Sequence, residues 1–237
     1  MRVEVWSDLV CPWCYVGKRR FERALAGFRL RLASARRAGA QSAEAVAHRD
    51  DIQVVHRSFQ LDAASRRGTT SPRRHVLMAK YGLSEAQAEA MDETMIRTAS
   101  ADGLEYHLAG GVTGNTFDAH QIVHLAGARD IQDRVIERLY RAHFTEQRSL
   151  FEHESLVQLA AEAGLDPDEA RDVLKADTYA SAVRADVQEA KALGVTGVPF
   201  FLVSRRCSVS GAQATAVFID ALERAWTDAG AEASRQG

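Results

Sequence analysis

Two cysteines separated by two residues stand near the start of the chain, in the segment Val10-Cys11-Pro12-Trp13-Cys14-Tyr15. Ahead of them, Arg2 to Trp6 alternates charged and apolar residues, which predicts a short strand. After Cys11, Pro12 predicts a helix start, because its missing N–H costs nothing at the first helical position. The apolar stripe Phe21, Leu25, Phe28 and Leu32 then recurs at helical spacing. A cysteine pair on a strand-to-helix junction leaves few architectures open. A helix N-terminus presents unpaired N–H groups and the positive end of the helix dipole, which together stabilise a thiolate at Cys11. Pro12 has no N–H, so the expected donors are Trp13 and Cys14. Cys14, one turn on, lies within bridging reach and is expected to be the more buried. In such a pair the outer sulfur attacks a disulfide and the inner sulfur resolves the mixed disulfide.

Cysteine usage is otherwise sparse. Cys207 is the third and last cysteine in 237 residues, which is no disulfide framework. Cys-x-x-Cys is also a metal-ligand spacing, but a closed zinc site needs a second pair. Cys207 stands alone and His120-x-x-x-His124 is the single helical His pair near register, so no metal site is expected. The net charge of -2 gives no basic field for nucleic acid. No run of about 18 apolar residues predicts a membrane span. A leader peptide would need an unbroken apolar stretch, which Glu4 and Asp8 interrupt, so a cytoplasmic location is expected.

The rest of the chain divides by pattern. Residues 34–51 lack a strong apolar stripe and predict a surface connection, partly helical or mobile. Ile52 to Phe59 is rich in β-branched and apolar residues and predicts a second strand. Helical periodicity then dominates, with predicted helices at 72–82, 84–101, 116–129, 131–147, 153–163, 167–175 and 178–193. Glycines punctuate them, and Ser84 (with Gln87) and Thr116 are expected N-terminal caps. Pro199 to Val203 predicts an apolar strand, Cys207 to Ser210 its hairpin partner, and Ala214 to Trp226 a final helix with a frayed tail. The order therefore predicts an α/β unit made of residues 1–62 and 190–237, interrupted by a helical domain at 63–189.

Thr196-Gly197-Val198-Pro199-Phe200-Phe201 is a second informative block. A Pro opening a buried strand after Gly is a turn signal. It is weak alone and specific when paired with a distant Cys-x-x-Cys.

The segment Ser7 to Glu22 (SDLVCPWCYVGKRRFE) resembles the start of the DsbA-like family in its FrnE-type branch. That branch is related to 2-hydroxychromene-2-carboxylate isomerases and kappa-class glutathione transferases. NTFDAH at 115–120, LAAEAGLD at 159–166, GVTGVPFF at 194–201 and SGAQ at 210–213 extend the resemblance over nearly the whole chain. It implies a thioredoxin fold with an all-helical insertion and a cis Val198–Pro199 bond packed against the cysteines. It implies that the Val198 backbone pairs with an extended substrate or with glutathione. The isomerase and transferase relatives carry Ser at the position of Cys11 and activate glutathione. Both cysteines are present here, so thiol–disulfide oxidoreductase or isomerase activity on protein or small-molecule thiols is expected. The alternative is a glutathione-dependent isomerase or transferase acting on an aromatic or polyketide-like molecule. Glutathione is a candidate co-substrate, and no tightly bound cofactor is implied. The direction of electron flow and a homodimer are left open.

Trp13 is expected to be exposed beside the cysteines as a contact for apolar substrate surface. Asn115 and Asp118 face, by the resemblance, the groove above the cysteines, although capping and first-turn charge are the commoner roles of such residues. His120 and His124 read as satisfied or exposed rather than catalytic. Lys18, Arg19 and Arg20 read as a solvated helix face that could add positive potential near Cys11. Cys207 reads as a small hydrophobe rather than a redox partner.

Overall fold

The structure is a computed structural model that describes residues 1–37 and 52–236. Strand β1 (Arg2–Ser7) leads into helix α1 (Pro12–Arg37), and β2 (Gln53–Ser58) lies parallel to β1. The chain returns to the same sheet much later with β5 (Phe200–Val203) and β6 (Cys207–Ser210), followed by a last helix at Thr215–Gln236. The four strands are ordered β2-β1-β5-β6, with β5 antiparallel to both β1 and β6. This is a mixed α/β thioredoxin-type sheet.

The sheet is covered on both faces. The predicted stripe of α1 is buried at Phe21, Leu25 and Phe28, against Val3, Val5, Phe201 and Phe218. Phe201 and Phe218 meet edge-on with ring centroids 4.7 Å apart, a favoured aromatic geometry. On the opposite face, Trp6 and Leu202 pack against Ala190 and Val195.

Between β2 and β5 the chain forms two short strands and seven helices among the described residues. β3 (Thr70–Pro72) and β4 (Val112–Gly114) pair antiparallel. α2 (Arg73–Tyr81) and α3 (Glu85–Ala101) separate them, and α4 (Phe117–Ala128), α5 (Gln132–Phe144), α6 (His153–Glu162), α7 (Pro167–Ala176) and α8 (Ala180–Ala192) follow. α3 starts with the expected capping box, in which Ser84 and Gln87 bond reciprocally. The core of this helical part is continuous with Leu9, Cys11, Cys14, Tyr15 and Val16 from the strand-to-helix junction. The cysteine pair therefore sits where the two halves of the molecule meet.

Several expectations need correction. The insertion is helical apart from the β3–β4 ribbon, whose strands of three residues are too short and polar to show a period. Residues 34–37 are helical and continue α1, in line with a partly helical connection, and residues 38–51 lie outside the described residues. The last helix (α9) runs on past Trp226 to Gln236, where a frayed tail was expected. The Ala-rich composition of that stretch favours helix once α9 is nucleated.

Candidate active site

Local hydrogen bonds make the turn that presents the cysteines. The Cys11 N–H donates to the Asp8 carbonyl at 3.1 Å, and the Cys14 N–H to the Cys11 carbonyl at 3.0 Å. The Cys14 N–H is thus taken by backbone, so Cys14 is not the free donor expected for the Cys11 sulfur. Both thiols are free. Cys11 is only 4% exposed, while Trp13, two residues on, is exposed as expected at 45%. Cys14 is the more buried, as expected, at 2%. Its thiol is pushed well up from the ordinary value, first by burial and then by the Cys11 sulfur beside it.

Across the junction the Val198–Pro199 bond is cis, as the resemblance implies. The Cys11 thiol donates to the Val198 carbonyl, with sulfur and oxygen 3.6 Å apart. Pro199 is buried and Val198 half-buried. The Pro199 ring also fixes the identity of residue 17. A Cβ added to Gly17 on α1 would lie 2.8 Å from Pro199 Cγ, and so only glycine allows this approach. A glycine inside a helical pattern was the available signal for this contact.

An aromatic cluster backs the pair. Tyr15 stacks on Tyr140 at 4.9 Å, and Tyr106 on Phe144 at 4.8 Å. Tyr106 donates its hydroxyl to the Pro12 carbonyl at 2.8 Å. Burial pushes the phenols of Tyr15, Tyr106 and Tyr140 upward, so all three stay protonated donors. Nothing in the local sequence points to Tyr106, which is far from the cysteines along the chain.

Asp8 lies beneath the turn and is 1% exposed. Its Oδ2 accepts the Leu61 N–H at 2.7 Å, while Oδ1 has no hydrogen-bond partner among the described residues. Oδ1 lies 3.7 Å from His120 Nε2, which carries the proton because it donates to the Phe59 carbonyl at 2.9 Å. His124 is likewise engaged, with the Ser58 hydroxyl at 3.1 Å and Asp186 at 3.0 Å.

The basic run after the cysteines is not a solvated face. Lys18 is buried and pairs with Glu22, Asp133 and Glu137. Arg19 pairs with Glu22 and Glu137, and Arg20 with Asp102. These ion pairs tie α1 to α5 and to the end of α3. Their positive charge is compensated by carboxylates.

The two predicted substrate groups separate. Val198 touches the Cys11 sulfur, Pro199 follows it in the chain, and Trp13 stands exposed two residues on from Cys11. Asn115 is 7% exposed, and its side chain is consumed in holding a loop. Its Oδ1 accepts from Gln60 and from the Phe117 N–H, both at 2.9 Å, and its Nδ2 donates to the Ser65 carbonyl at 2.7 Å. Asn115 thus starts α4 in place of Thr116, whose side chain makes no capping bond. Asp118 is 5% exposed, ion-paired with Arg67 and in hydrogen-bond contact with His153 at 3.2 Å. Asn115, but not Asp118, lines a separate cleft of about 360 Å³ between α8 and residues 60–67. Cys207 packs half-buried against the sheet core. Among the described residues no group of three His, Cys, Asp or Glu is placed to hold a metal, and no helix is long and apolar enough to cross a membrane.

Comparison with known proteins adds a lineage to this geometry. A probable DsbA oxidoreductase from Streptomyces coelicolor is 45% identical, with a TM-score of 0.84 over 96% of this chain and 90% of that one. A Bacillus subtilis (strain 168) protein described as uncharacterised, YwbO, is 25% identical over 206 residues, 86% of each chain. The cytosolic disulfide reductase DsbM from Pseudomonas aeruginosa shares the fold at 17% identity and a TM-score of 0.57, over 99% of both chains. A 2-hydroxychromene-2-carboxylate isomerase shares it at 15% identity and a TM-score of 0.61, over the full length of both. The model of the DSBA-like thioredoxin domain matches residues 2–223, and the chain belongs to that family.

Proposed function

We propose that this protein is a thiol–disulfide oxidoreductase in which Cys11 attacks and Cys14 resolves. The observation that carries the reading is the Cys11 thiol against the Val198 carbonyl beside Pro199, with a second free thiol buried one helical turn behind it. A substrate sulfur lying along Val198 can take the place of the Cys11 thiol contact, and the Val198 backbone can pair with an extended chain.

The electrons balance as follows. The Cys11 thiolate attacks one sulfur of a substrate disulfide; the substrate S–S bond breaks, a Cys11–substrate S–S bond forms, and the departing thiolate takes up a proton. Cys14 then loses its proton and attacks the Cys11 sulfur, releasing the second substrate thiol and leaving a Cys11–Cys14 disulfide. Two electrons have passed to the substrate. Run backwards, the same steps oxidise a dithiol. The substrates are thiol- or disulfide-bearing proteins or small molecules, glutathione among them, and the setting is the cytoplasm.

The test is reduction of insulin with dithiothreitol as the electron source. Wild type turns over, and Cys14→Ser loses turnover. An intramolecular thiol can act at an effective concentration on the order of 10⁵ M, so millimolar external thiol cannot replace it. Unchanged single-turnover rates for Cys14→Ser without glutathione would overturn the reading and favour a glutathione-dependent isomerase or transferase.

A further inference from the structure

We infer that the cleft between α8 and residues 60–67 is a binding site for carboxylate groups, with Arg184 and Lys191 as their counter-charges. The cleft, of about 360 Å³, is lined by Arg67, Arg184 and Lys191, by amides including Gln60 and Gln188, and by the Phe117 ring, and no acidic side chain lines it.

Helix α8 sorts its charges by face. Arg184, Gln188 and Lys191 fall at i, i+4 and i+7 and line the cleft. Asp186 and Glu189 point the other way. Asp186 accepts the Ser58 N–H at 2.9 Å and pairs with Arg57, while Glu189 pairs with Arg205. With their own helix's carboxylates committed elsewhere, neither Arg184 nor Lys191 has an ion-pair partner among the described residues. Arg67 is different, because Asp118 and Asp177 hold it in place and offset its charge. Arg184 feels Asp177 only through space. Both guanidinium groups rest on the Phe117 ring, with centroid distances of 4.9 Å for Arg67 and 5.2 Å for Arg184. Two like charges gathered on one ring, beside an unpaired lysine and the Gln188 amide, make a pocket suited to an anion.

Both walls lead to the cysteines. The Phe59 N–H donates to the Ser7 carbonyl at 3.1 Å and the Leu61 N–H to Asp8, the residues that enter the cysteine turn. α8 runs on through Gly194 to Val198. The proposed ligand has its sulfur at Cys11 and extends from Val198 toward the segments that form these two walls. The ligand class is a carboxylate-bearing thiol or disulfide, supplied by a small acidic peptide thiol or by Asp and Glu residues of a protein substrate. Its role as a substrate subsite rests on the proposed redox reading; the binding itself does not.

The test is therefore a binding measurement without redox chemistry. Calorimetry would compare S-methylglutathione with its diester, and a hexapeptide containing two glutamates with its glutamine analogue. Wild type should bind an acidic form roughly fivefold more tightly than its neutral counterpart, as expected for one or two exposed charge pairs, with the gap narrowing at high salt. Arg184→Gln/Lys191→Gln should erase the gap. Preference confined to the tripeptide, or confined to the hexapeptide, identifies the source and supports the site. Equal affinity for acidic and neutral forms on both arms, or a gap unchanged in the double variant, would overturn it. Failure of insulin reduction with the gap intact would instead remove the redox reading alone.

Discussion

Tyr106 reaches from the helical half of the molecule to the dipeptide between the cysteines, its hydroxyl donating to the Pro12 carbonyl at 2.8 Å. This bond fastens the turn that carries Cys11 to an element of the insertion. Tyr106→Phe keeps the ring stacked on Phe144 and deletes only the donor. Stability should fall by about 1 kcal/mol, the usual net value of one hydrogen bond. An unchanged denaturation midpoint would show that the bond contributes nothing.

Cys14 should react slowly with iodoacetamide at neutral pH, because burial and the Cys11 sulfur both push its thiol up. Removing one cause should lower it again, so in Cys11→Ser the Cys14 alkylation profile moves toward lower pH. Peptide mapping across pH 7 to 10 in the two proteins reads this directly. A profile shifted upward in Cys11→Ser would contradict the assigned cause.

Cys14→Ser should accumulate mixed disulfides with substrate, since attack proceeds and release fails. Cys11→Ser should trap none through this pair. Mass spectrometry that finds equal trapping in both variants would end the division of labour between the two sulfurs.

Gly17→Ala forces a methyl onto the Pro199 ring, which has no rotamer to yield. Overpacking of this kind costs about 1–3 kcal/mol. Because the displaced residue borders Cys11, insulin reduction should slow along with the loss of stability. Normal turnover with normal stability would mean that the helix and the loop separate freely at this contact.

His143 is buried, and its imidazole is held down to about 4, first by burial and then by the nearby Arg73. Unfolding returns it to an ordinary value near 6.5. Below that value the unfolded state binds a proton that the folded state refuses, so stability should fall as pH drops from about 6.5 toward 4. His143→Gln should flatten that part of the stability–pH curve. An identical slope in the variant would assign the acid sensitivity to other groups.

The four sheet strands and most helices were legible because their patterns are local: alternation in Arg2–Trp6, an apolar run at Pro199–Val203, and glycine breaks between helices. The cysteine pair and the Val198–Pro199 turn were legible as distant blocks that gain meaning together. What could not be read depends on contacts between distant segments. Lys18 looks like a surface lysine until α5 brings Asp133 and Glu137 over it. Asn115 reads first as a helix cap, and its hold on residues 60–65 appears only once that loop wraps around its amide. Asp8 looks like an interruption of an apolar stretch until the turn folds above it, and the β3–β4 ribbon is too short to carry a period.

The order of the sheet has a consequence for how the protein is made. β1 is central, and its antiparallel neighbour β5 pairs Val3 with Val203 and Val5 with Phe201. A ribosome adding about 5–20 residues per second would need roughly 10–40 s to deliver β5 after β1 has been synthesised. For that interval β1 has only β2 beside it, and its β5-facing edge is unpaired. A nascent chain halted in the insertion should therefore be sticky and sensitive to protease, and should become resistant once Val203 clears the exit tunnel.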